Sequence, residues 1–75
     1  MAGITYTKRI EDTYTELTRD QAIDWHRHLL AVDGRRLTRK EVVYETEDLE
    51  ESADWNGVVC VTGQGYDLIV KSGRS

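Results

Sequence analysis

The chain has 75 residues, with no proline, no phenylalanine, one cysteine, and 14 Asp and Glu against 10 Lys and Arg. A chain of this length forms one domain (1–75) and buries only about 60–65% of the surface its unfolded form exposes, so its core must be used efficiently or extended by a partner. One cysteine excludes an internal disulfide and a four-cysteine zinc site. A reducing, cytoplasmic setting is therefore expected. No apolar run is long enough for a membrane span, and the first residues lack a signal-peptide block.

The net charge of -4 is unevenly laid out. Residues 1–44 hold eight basic and seven acidic groups, whereas residues 45–75 hold seven acidic and two basic ones. Glu45, Glu47, Asp48, Glu50, Glu51 and Asp54 follow one another with no basic residue among them. Such a run repels itself, so it is expected to face solvent or a basic partner. Positive charge gathers in Arg35, Arg36, Arg39 and Lys40, with Lys8 or Arg9 added if the fold brings them near.

In chain order, Ile4, Tyr6 and Ile10 alternate with Thr5, Thr7 and Arg9, which predicts a half-buried strand. Glu11-Asp12 offers a turn, and Thr13–Leu17 is again strand-like. A hairpin and one long bent strand both remain open over 3–17, with the shared parity of Tyr14 leaning toward the second. Thr18 and Gln21 form a capping box, and Asp33-Gly34 a stop, so a helix is expected over 19–32. Its apolar arc holds Ala22, Ile23, Trp25, Leu29, Leu30 and Val32, with Asp20, Asp24 and Arg27 opposite.

Residues 37–46 are ambiguous. Thr38 and Glu41 would cap a helix, and Val42, Thr46 and Leu49 recur at helical spacing. The β-branched and aromatic Val42-Val43-Tyr44 favours a strand, which leaves 47–54 as a loop with at most one helical turn. Val58–Thr62 is the most apolar strand candidate and the expected centre of the sheet. Gly63-Gln64-Gly65 then turns the chain into Tyr66–Lys71, a hairpin, with 72–75 as a loose tail. The fold class expected is α+β, one helix on a small antiparallel sheet in the order β(β)-α-β-β-β.

His26 falls in the middle of the apolar arc and reads as a satisfied core histidine. His28 reads as an exposed partner of Asp24. The two diverge on the helix, and adding Cys60 supplies too few ligands for a metal. Cys60 in a Val-Val-Cys-Val strand reads as a small buried hydrophobe rather than a nucleophile paired with His26. The acidic run lacks the cleft of an acid–base pair and the pattern of a calcium loop. Gly63 and Gly65 lead into a strand, not a helix, so they are a turn and not a dinucleotide fingerprint.

No catalytic residue, metal or cofactor is therefore expected, and the chain is read as non-enzymatic. The leading reading is a protein-binding or regulatory module, a small inhibitor or adaptor. Its surface comprises Glu45, Glu47, Asp48, Glu50, Glu51, Asp54 and Trp55, and its partner is a protein with a basic surface. The alternative is a nucleic-acid-binding accessory protein using Arg35, Arg36, Arg39 and Lys40. A homodimer through a strand edge or an uncovered sheet face is a further expectation.

Overall fold

The structure, a computed structural model, describes residues 3–63 and 65–73. Among these residues six elements follow one another: β1 (Ile4–Ile10), β2 (Thr13–Leu17), α1 (Arg19–Val32), α2 (Arg39–Asn56), β3 (Val58–Thr62) and β4 (Tyr66–Ser72). The strands form one antiparallel sheet in the order β2-β1-β4-β3, so the first and last strands pair at its centre. Both helices cover one face, α2 lying mainly over β4 and β3.

This corrects the expected architecture. Two helices, not one, pack on the sheet, and the segment read as a strand over 37–46 holds the Thr38 cap and the start of α2. Thr38 accepts from the Glu41 backbone while the Glu41 side chain accepts from the Thr38 backbone, closing the capping box. Residues 41–54 hold five Glu together with Leu49 and Ala53, all good helix formers. The β preference of Val42-Val43-Tyr44 is weaker than that sum plus burial of Val42, Thr46 and Ala53 on the helix's inner face. Gly57 ends α2 at φ +87°, a conformation that costs glycine little.

Residues 3–17 form a hairpin, not one bent strand, and Glu11 takes φ +53° in its two-residue turn. That turn moves Tyr14 opposite Arg9 and away from the face of Ile4 and Tyr6. β3 is an edge strand rather than the centre, because β1 takes the other side of β4. The tail expected at 72–75 lies partly outside the described residues, and Ser72 is the last residue of β4.

The sheet's two faces differ. Tyr6, Leu68 and Val70 point into the helix layer and meet Ala22, Leu29 and Ala53 in one cluster. Ile23, Leu30 and Val42 form a second cluster where α1 and α2 meet. The register sets the opposite face in cross-strand rows: Tyr14, Arg9, Asp67, Thr62; Glu16, Thr7, Ile69, Cys60; and Thr5, Lys71, Val58. No helix covers these rows.

Candidate functional site

The acidic run is neither a loop nor one surface. All of its residues lie on α2, and helical geometry distributes them round the axis. Glu50 turns inward. Its carboxylate accepts from Arg19 Nε at 2.8 Å and Nη2 at 3.2 Å, and from the buried Tyr6 hydroxyl. Burial alone would raise the Glu50 pKa, but the hydrogen bonds from Arg19 and Tyr6 outweigh it and hold the carboxyl below its usual range. The Tyr6 hydroxyl is pushed up to about 12 by desolvation first and by the Glu50 carboxylate second.

Glu45 is occupied as well, 2.7 Å from Arg35. Asp54 accepts from Ser72 Oγ at 3.5 Å. These three acids hold α2 to its neighbours. The remaining three, Glu47, Asp48 and Glu51, are exposed and form no ion pair among the described residues.

Two aromatic rings stand on the same face. Tyr44 is 60% exposed and Trp55 84% exposed. Tyr44, Asp48, Glu51 and Trp55 recur at spacings of four, three and four, which sets them in one stripe along the helix. At 1.5 Å per residue the two rings sit about 16 Å apart along the axis, with the carboxylates between them. Asp48, Glu51, Ser52, Trp55 and Asn56 line a shallow depression at the C-terminal end of the stripe. Trp55, expected as a contact residue, is exposed near the C-terminal end of α2. Tyr44, read as part of a strand over 37–46, was not among the expected contact residues.

The basic group is partly consumed. Arg35 holds Glu45, and Arg39 lies 3.3 Å from Asp24 and 3.5 Å from Asp20. Arg36 and Lys40 have no ion pair among the described residues. Arg9 bonds Asp67 on the open sheet face, and Lys8 lies 5.3 Å over the Trp25 ring on the helix side. Neither adds to a patch at 35–40 through those contacts.

The histidines and the cysteine resolve as follows. His26 is 3% exposed, and its Nδ1 lies 3.0 Å from Thr46 Oγ1. Burial lowers its pKa, with Glu45 raising it and Arg35 lowering it to smaller extents. His28 stacks on Trp25 at 5.3 Å, while Asp24 goes to Arg39 instead. Trp25 is half-buried rather than fully core, and its Nε1 donates to the Asp67 carbonyl at 2.9 Å. Cys60 is exposed on the open sheet face, not buried, since β3 has helices on one side only. The sheet therefore separates Cys60 from His26, and no dyad forms. Among the described residues no group of three or more His, Cys, Asp and Glu is placed to hold a metal ion. Among the described residues no helix is long and apolar enough to cross a membrane.

Comparison with protein-family models, curated proteins and solved structures returns no significant match for this chain.

Proposed function

We propose that this chain is a non-enzymatic binding module that docks a partner protein on the outer face of α2. The observation that carries the reading is the stripe Tyr44, Asp48, Glu51 and Trp55, flanked by Glu47. Two large rings are exposed to water at either end of a set of carboxylates that form no ion pair among the described residues. Exposed rings of this kind are frequent interface anchors, because they bury much apolar area while ordering few torsions. The carboxylates steer and orient an oppositely charged surface.

The partner that fits is a protein with a basic surface carrying an apolar recess for Trp55. Glu45, Glu50 and Asp54 act as structural acids in this reading, so the docking set is smaller than the acidic run. Capture of proteins from the native cell tests it, using wild type beside Trp55→Ala and a Glu47→Gln, Asp48→Asn, Glu51→Gln triple variant. The expected result is a partner recovered by wild type and lost from both variants. Recovery of the same proteins by all three forms would remove α2 as the docking face.

A further inference from the structure

β3 forms one edge of the sheet. Ser72 N–H donates to the Gly57 carbonyl at 2.9 Å, and Gly63 N–H donates to the Tyr66 carbonyl at 2.7 Å. Antiparallel strands alternate their bonding direction, so 57, 59, 61 and 63 turn their backbone groups toward β4. Val58, Cys60 and Thr62 turn theirs toward the free edge. Their side chains are exposed, Val58 by 47%.

Sheet edges are ordinarily guarded by a charge, a proline, a bulge or a covering segment. Val58–Thr62 has no charged residue and no proline, and its pairing with β4 is unbroken from Val58↔Lys71 to Thr62↔Asp67. The opposite edge, β2, carries Glu16. The unguarded edge is also the most apolar strand of the chain.

We propose that β3 pairs antiparallel with β3 of a second copy of this chain, across a two-fold axis at Cys60. Cys60 is the middle residue of β3, so this is the two-fold register that engages all the outward-facing residues: Cys60 meets Cys60 of the second copy, and Val58 meets Thr62. Each such pair exchanges two backbone hydrogen bonds. The result is a continuous sheet with the helices of both copies on one face. No charge opposes this register. Thr62 lies beside Asp67 and Val58 beside Lys71, so the two-fold puts Asp67 in the same cross-strand row as Lys71 of the second copy. No like-charged side chains meet at the seam.

Sedimentation equilibrium of the full chain in reductant, from about 10 μM to about 1 mM, tests the proposal. The expected result is a mass rising with concentration from 8.6 kDa toward twice that value. Because each copy carries net negative charge, association tightens as salt rises, the opposite of the response at the α2 face. Cys60→Lys sets two ammonium groups together on the axis and is expected to weaken association by about 100-fold, whereas Cys60→Ser retains it. Val58→Pro removes an outward N–H without touching a bond to β4, and is expected to weaken association with the fold intact by circular dichroism. A monomer at every concentration, or a dimer indifferent to both Cys60→Lys and Val58→Pro, would overturn the proposal.

Discussion

Glu50 on α2 receives both Nε and Nη2 of Arg19 on α1, at 2.8 and 3.2 Å, and shares the same carboxylate with the Tyr6 hydroxyl of β1. One acidic side chain thus ties both helices to a central strand. Glu50→Ala leaves the buried Tyr6 hydroxyl without its acceptor and is expected to cost about 2 kcal/mol in urea unfolding. Glu47→Ala, on the outer face, is expected to change stability by less than about 0.5 kcal/mol.

The same contact fixes a pH dependence at both ends of the scale. The Glu50 pKa is lowered on folding, so its contribution is present above the ordinary carboxylate range and lost as pH falls through the folded value. The Tyr6 pKa is raised from 10.0 to about 12, so its contribution is present below pH 10 and lost as pH rises through about 12. Unfolding free energies between pH 9 and pH 12 are therefore expected to fall more steeply for wild type than for Tyr6→Phe.

His26 gives a separate signature. Burial lowers its pKa below 6.5, so the neutral ring is favoured by folding and stability declines as pH drops below that value. Proton NMR of the His26 ring is expected to show a midpoint below 6.5. Thr46→Val removes the partner of Nδ1 and is expected to cost about 1–2 kcal/mol, read by thermal unfolding at pH 7.5.

These three expectations rest on contacts of very different legibility. α1 was readable to its ends because its signals are local: Thr18 and Gln21 start it, and Asp33-Gly34 stops it. The β3–β4 hairpin was equally local, set by glycines between two apolar runs. α2 carried the same capping pair at Thr38 and Glu41. Its start nevertheless held Val42-Val43-Tyr44, and only packing against α1 and the sheet decided the competition. The split of the acidic run was not legible at all. Whether Glu45 and Glu50 are free depends on Arg35 and Arg19, which are ten and thirty-one residues away in sequence. Cys60 was misplaced for a related reason, since strand composition does not reveal that helices cover only one face of the sheet.

The outer face of α2 carries a stability cost that a docking role would explain. Glu47 and Glu51 are four residues apart, and like charges at that spacing destabilise a helix by about 0.2–0.5 kcal/mol. Neutralising Glu47, Asp48 and Glu51 is expected to raise the melting temperature by about 1–4 °C while recovery of the partner is lost. A lower melting temperature would make these carboxylates structural.

The most direct measurement of the central claim is the affinity of the captured partner for wild type and for the Glu47→Gln, Asp48→Asn, Glu51→Gln variant, by calorimetric titration in low and high salt. Docking on the outer face of α2 predicts binding at least about 10-fold weaker for the variant in low salt, and a gap that narrows as salt screens the interaction. Equal affinity for the two forms in low salt would contradict it.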